Sequence, residues 1–572
     1  CAAILERELG VRPLPETRAV YESALQDRRP SVTPDVRELA WTTLPGLDVP
    51  LVGRDVAYGR LEEALSRAQA GHGRVVLISG EPGIGKSRLM ETFATQSHHS
   101  ALVLSAAARS GGQTLPYQPV AEALRAIPIE RLLTSTVQPI WLAEAARLLP
   151  ELRDSRASLP PPLPAELEEA RSRLLEALCR MVLRLPAGSQ ALLLCLDDLH
   201  WADSATLDWL VCLVRRMVAR RMDESAGAGS SALILGTYRS GERQTLRDLR
   251  RTLVRMGVLS ELRLTGLKPA PVLQIVRHLT GSRPGASTLA RRLHEATGGN
   301  PFFLLETLRV LLEAGDLPQD LTALDEIPLP DTVRQAIEAR LRRLDPGAQQ
   351  VLEAGAILGP LFDFDVVRRT AGRGEMEAVD ALDQAVARQL LGEESSGYRF
   401  QHALIRQTVD VTLGPVRRHL LHRRAARALE QVQPQPAVRI AHHFDRGGNA
   451  ERALHYYLQA AEEAQELFAW QEAEGIQSRM LELLDRLDPG CSHSEYLALR
   501  GQILTTRAHL RFLQGRREDR DDDLAALAAL AEESGDQELR LQTLVHRVRY
   551  LNLDAEYEEA IEVADEGLTL AD

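Results

Sequence analysis

Residues 80–87 read GEPGIGKS, so Gly80, Gly85, Lys86 and Ser87 complete the pattern GxxxxGK[ST], with Gly83 inside it. Glycines at this spacing let backbone amides curl around phosphate oxygens. Lys86 would reach the β- and γ-phosphates, and Ser87 would ligate Mg²⁺. An apolar run precedes the pattern and a helical pattern follows it, which adds the positive end of a helix dipole. A second apolar run, ALLLCLD (191–197), ends in Asp197 and Asp198. Asp197 fits water-bridged Mg²⁺ ligation, and Asp198 is placed to orient or deprotonate an attacking water. The alternative is a pair of strand-end acids capping the next helix. Tyr238-Arg239 closes a third run, where Arg239 either reads a γ-phosphate or lies on the surface.

These residues need a sheet to hold them. From 51 to 265, apolar runs at 74–79, 101–106, 191–197 and 232–238 alternate with helical patterns. Near-continuous apolar strands suit a parallel sheet covered by helices on both faces. Residues 266–325 read as helical. In 326–430 short helices precede GYRF, which suits a strand of a small wing. After 431 the pattern is all helix. GRREDRDDDLAALAALAEESGD (515–536) and AEYEEAIEVADEGLTLAD (555–572) resemble each other at an offset of 40 residues. That is a helical-hairpin repeat of the tetratricopeptide (TPR) kind or close to it. Ala453, Tyr457 and Ala460 fall on one face of an earlier unit. Residues 1–28 suit two short helices, 29–50 a linker, and SLPPPLP (158–164) an internal loop. The expected fold is multidomain: an α/β P-loop NTPase with a parallel sheet, a helical lid, a winged-helix domain and all-α TPR-like repeats.

At roughly 100–200 residues per domain, 572 residues make roughly three to five domains. The net charge of −12 excludes a general affinity for polyanions. The five cysteines make no CxxC pair, which points to a reducing, cytoplasmic compartment. No apolar run reaches the ~18 residues of a membrane span, so no membrane partner is expected. His98-His99 and His442-His443 lack partners at metal spacing and read as solvated helix faces. The chain opens at Cys1 and stops at Asp572 inside helical patterns, so an internal fragment of a longer protein is expected.

Six boxes stand in a fixed order: LVGRD (51–55), GEPGIGKSR (80–88), LCLDDLHWAD (194–203), LGTYRSGE (235–242), GGNPFFLLE (298–306) and YRFQHALIRQTV (398–409). The set resembles the STAND class of signal-transduction NTPases, an AAA-related group that includes MalT-type activators, and covers about 51–430. The resemblance implies that Val52, Gly53 and Arg54 lie against the base, with Arg88 closing the phosphate motif. It further implies that Arg239 is a sensor, that Pro301 packs on adenine, and that His402 contacts the ADP β-phosphate. FQHAL departs from the family's MHD motif, with Gln401 for Met and Ala403 for Asp. Residues 1–28 resemble the end of a bacterial transcriptional activator domain (BTAD).

The resemblance implies ATP/ADP and Mg²⁺ as cofactors and self-association through ATPase domains. It also implies an inducer or protein partner on the repeats, and DNA contact through a domain missing from this fragment. Three functions compete. The first is a nucleotide-gated switch, a transcriptional regulator clamped by ADP, or the same module fused to a cyclase or kinase output. The second is a constitutive AAA+ engine, which needs a trans arginine such as Arg220-Arg221 or Arg250-Arg251. The third is a degenerate binding scaffold, which the intact Lys86, Ser87, Asp197 and Asp198 oppose. Direct DNA binding by 330–430 would rest on Arg417-Arg418 and Arg423-Arg424.

Overall fold

A computed structural model describes residues 49–571 apart from 110–114, 134–136, 157, 163–166, 187–189, 223–229, 240–243, 282, 315–332, 395–396, 433–435 and 487–492. The helices expected in 1–28, nearly all of the 29–50 linker, Cys1, Cys491, part of SLPPPLP and the segment joining lid to wing lie outside the described residues, as do the side chains of Arg220 and Arg221.

Five strands form one parallel sheet: β1 His72–Gly80, β2 Ala101–Ala107, β3 Ala191–Asp197, β4 Ser230–Arg239 and β5 Leu259–Arg263, in the order β2-β3-β4-β1-β5. Successive strand residues face opposite sides. Val76 and Ile78 pack with Leu61, Leu89 and Phe93 of helices Asp55–Gln69 and Lys86–Ser97. Val75 and Leu77 share the other core with Leu174, Leu178, Leu210 and Leu213 of helices Leu167–Leu183 and Ser204–Met222. Every residue of β3 is buried, which is why its run is unbroken in hydrophobicity. The four expected strands are all present. The fifth, LSELR, is not among them in the sequence reading. It is a short edge strand that buries Leu262 alone, so it carries almost no apolar signal.

The strand order matters more than the strand count. β4 lies between β1 and β3, so its carboxyl end separates the phosphate-loop strand from the aspartate strand. Gly80 pairs in register with Arg239, and Leu196 with Gly236. Gly236 has no room for a side chain: a Cβ there would come 2.4 Å from a Leu199 methyl.

Helices Pro269–Thr280, Ala286–Thr297 and Pro301–Ala314 follow, around Val272, Ile275, Leu289, Leu293, Leu304 and Leu308. The turn into the third helix needs Gly299. Its φ is +72°, and a Cβ would sit 2.2 Å from the Leu267 carbonyl oxygen. Next come helices Val333–Leu341, Pro346–Leu358, Phe364–Ala371 and Glu375–Ala387. An antiparallel sheet is interleaved with them: β6 Leu361–Phe362 lies between the second and third of these helices, and β7 Leu391–Glu394 and β8 Gly397–Phe400 follow the fourth, in the spatial order β6-β8-β7. GYRF is therefore a strand, and helix Ala403–Thr412 begins just after it.

The remaining helices run from Ala437–Arg446 to Tyr557–Ala571, each packed on the next. Helices starting at Arg517 and Tyr557 stand 40 residues apart, matching the sequence offset. Ala453, Tyr457 and Ala460 are all buried on one face. His442 and His443 correct the sequence expectation. His443 is fully buried, and both rings meet His422 of helix Pro415–Gln431, with His422 Nδ1 and His443 Nδ1 3.0 Å apart. Helix Ala437–Arg446 packs on the helix before it, which turns this histidine pair inward.

Candidate nucleotide site

The phosphate loop closes because three glycines adopt positive φ: +156° at Gly80, +79° at Gly83 and +95° at Gly85. Gly85 then caps helix Lys86–Ser97, whose first-turn amides have no partners within the helix. The Lys86 ammonium donates to the carbonyls of Gly80 (3.0 Å) and Glu81 (2.9 Å), inside the curl of the loop. Burial holds its pKa below the usual lysine range, while Asp198 and Asp197 act in the other direction. Ser87 is half-buried in the first turn. Arg88 donates to the Val49 carbonyl and ties down the entering chain.

Asp197 ends β3 beside Thr237 of β4. The Thr237 hydroxyl donates to the Asp197 carboxylate and accepts the Asp198 amide at 2.9 Å. Asp198 is left-handed (φ +53°), which swings its side chain off the strand. Burial and the Asp197 charge raise its pKa to about 6, against the pull of Arg239 and Lys86. Arg239, half-buried at the end of β4, acts electrostatically on Lys86, Asp198, His402 and Arg406 alike. It is therefore no isolated surface arginine.

Two other segments reach the loop. Asn300 Nδ2 donates to the Pro82 carbonyl (3.0 Å), and the Phe302 amide donates to the Gly83 carbonyl (3.2 Å). Pro301 sits between them at the first position of its helix, where its missing N–H costs nothing. His402, from the segment after β8, stacks on Phe302 with ring centroids 3.8 Å apart. Its Nδ1 accepts the Leu404 amide at 3.1 Å, so the neutral ring carries its proton on Nε2. Burial, then Arg239 and Lys86, push its pKa down to about 3. A neutral imidazole in that field can donate one hydrogen bond to an anion.

Val52, Gly53 and Arg54 brace this assembly. Val52 packs on the lid core, and a Cβ on Gly53 would come 2.6 Å from Pro271. The buried Arg54 guanidinium donates to the carbonyls of Thr265 (2.9 Å) and Ile84 (2.8 Å), tying the phosphate loop to the segment that follows β5. Its donors are thus directed to backbone. The sequence reading did not single out Thr237, Asn300, Phe302 or Arg406. Thr237 stands two residues before Arg239, and Asn300 and Phe302 flank Pro301, so their motifs were visible although their partners were not. Of the trans-finger candidates, Arg250 pairs with Glu261 (2.7 Å) and Arg251 with Asp248 (3.1 Å). Arg417 and Arg418 pair with Glu353 (2.6 Å) and Asp410 (3.3 Å).

Residues 50–222, which carry the phosphate loop and both aspartates, match the family described as AAA ATPase domain. The chain carries an AAA ATPase domain. An uncharacterized protein of Rhizobium meliloti (strain 1021) is 24% identical over 478 residues, covering 77% of this chain and 43% of the relative. The chain thus spans under half of that relative's length. Among solved structures, a STAND protein with a tetratricopeptide repeat sensor from Pyrococcus horikoshii is 15% identical, with a TM-score of 0.45 over 93% of this chain and 72% of that one. The Aeropyrum pernix ORC2 protein, in ADPNP–ADP complexes, is 16% identical, with a TM-score of 0.33 over 67% and 98%. Among the described residues no helix is long and apolar enough to cross a membrane.

Proposed function

We propose that the AAA ATPase domain serves a STAND-type switch, in which ADP holds a closed state and ATP with an inducer promotes self-association. The domains in this reading are ATPase (51–265), helical lid (266–325), winged helix (326–430) and TPR-like repeats (431–572). The loop amides around Gly80, Gly83 and Gly85, with Lys86, hold the phosphates. Ser87 would hold Mg²⁺ directly and Asp197 through water, and the ion would neutralise phosphate charge. Asp198 orients water, and Arg239 reads the γ-phosphate. Pro301 and the Val52–Arg54 segment lie on the base side, and His402 donates through Nε2 to the ADP β-phosphate.

One observation carries this reading: the Phe302–His402 stack, which joins a distant domain to the phosphate loop. An engine with steady turnover has no need of that domain at its product. A switch does, because ADP and ATP must differ in which state they favour. The N-terminal BTAD resemblance supports a transcriptional output, with DNA contacted through a further domain. Release of labelled ADP from His402→Ala tests the clamp. At least about a tenfold faster release is expected, the equivalent of one charge-assisted hydrogen bond. An unchanged rate removes His402 from the clamp.

A further inference from the structure

A cavity of about 440 Å³ lies between the AAA ATPase domain and the first repeat helices. Leu115, Pro116 and Arg147 form one wall. Helices Ala437–Arg446, Ala450–Glu466 and Trp470–Leu484 form the other. Val438, Ala460, Leu467 and Ile476 add an apolar floor, and Glu463, Glu466 and Glu472 line the same space. The cavity falls within the roughly 300–1,000 Å³ of small-molecule sites.

Its charge is one-sided. The Arg147 guanidinium is paired with Glu144 at 3.1 Å and lies over the Phe468 ring, so it does not balance the three carboxylates. Among the described residues Glu463 receives only the neutral Gln459 amide, at 2.9 Å, and burial with Glu466 nearby raises its pKa. Grouped carboxylates beside apolar surface are relieved by a cation that brings its own apolar body. Glu472 does a second job. It accepts the Ser204 amide at 2.7 Å and hydroxyl at 2.8 Å, at the start of the helix that follows Asp197-Asp198. Phe468, Ala469 and Ala473 pack into the ATPase core beside it.

We propose that this cavity binds a small organic cation with an apolar body, such as an aralkylamine, and that its ammonium competes with Ser204 for Glu472. Binding would then weaken the contact between the repeats and the helix next to the nucleotide site. The coupling rests on the switch reading above; the binding does not.

The test titrates dansylcadaverine into the full chain by fluorescence anisotropy, with its N-acetylated, uncharged form as control. Saturable one-to-one binding is expected. It should be at least about tenfold weaker for the control and for Glu463→Gln/Glu466→Gln, and lost in Ala460→Trp, whose indole fills the cavity. The conservative glutamine pair keeps the test decisive if the tryptophan variant fails to fold. No saturable binding, or equal affinity for both forms and all variants, overturns the site. Saturating probe should also speed ADP release several-fold. Binding with unchanged ADP release overturns the coupling and keeps the site. A chain that holds no ADP at all overturns the switch reading, and the titration still decides the cavity.

Discussion

Phe302 stacks on His402 with ring centroids 3.8 Å apart and planes 21° from parallel, while the Phe302 amide donates to the Gly83 carbonyl at 3.2 Å. One residue of helix Pro301–Ala314 thus touches both the phosphate loop and the segment that follows β8. Gly83 makes this approach possible, since a Cβ there would come 2.8 Å from the Phe302 Cβ.

Phe302→Ala keeps the backbone bond and removes the stack. An aromatic pair contributes about 0.5–1.5 kcal/mol, so ADP release should speed by roughly two- to tenfold. The double variant with His402→Ala should release ADP no faster than His402→Ala alone. Additive effects in stopped-flow release would mean that the two rings act separately.

Buried Glu306 of the lid accepts from Arg340 of the next helix, and Arg309 lies 3.4 Å away. Arg340 also donates to the Arg388 carbonyl. Removing one partner of a buried pair costs about 3–5 kcal/mol. Glu306→Ala should therefore lower the Tm of the lid markedly, and Glu306→Met/Arg340→Met should recover part of the loss. A double variant no better than the single one, measured by calorimetry, would contradict this account of the lid.

The histidine cluster sets an acid limit on stability. Burial, then His442 and Arg446, pushes His422 to about 3; burial, then Arg446, pushes His442 to about 4; burial, then His422 and His442, holds His443 well below its ordinary 6.5. These folded values are depressed, so below about 6.5 the unfolded chain binds more protons than the folded one. The contribution is complete above that pH and falls by about 1.4 kcal/mol per pH unit per histidine as pH drops. Asp203, raised to about 6 by burial and Glu472, and Asp198, raised to about 6 by burial and Asp197, have the opposite sign between 3.8 and 6. Two carboxyls do not offset three histidines. The Tm should fall between pH 6.5 and 5, and less steeply in His422→Leu/His443→Leu. Parallel curves for the two proteins would contradict the assignment.

The sequence made the phosphate loop and Asp197-Asp198 legible because their chemistry is local: a glycine spacing and two acids at a strand end. It also marked Arg239 as a strand tip. It could not show that β4 inserts between β1 and β3, which is what brings Thr237 to Asp197. LSELR escaped because an edge strand buries one residue. The inward turn of His442-His443 depends on helix Pro415–Gln431, which no local pattern reports. Arg54 was assigned to the base by resemblance, yet its guanidinium spans Ile84 and Thr265, a contact across 211 residues.

The most direct measurement is the nucleotide that stays with the purified chain, released by denaturation and separated by chromatography. A clamped switch predicts close to one ADP per chain, retained through gel filtration and reduced in His402→Ala. An empty site together with rapid effector-free ATP turnover would contradict the clamp and leave an engine in its place.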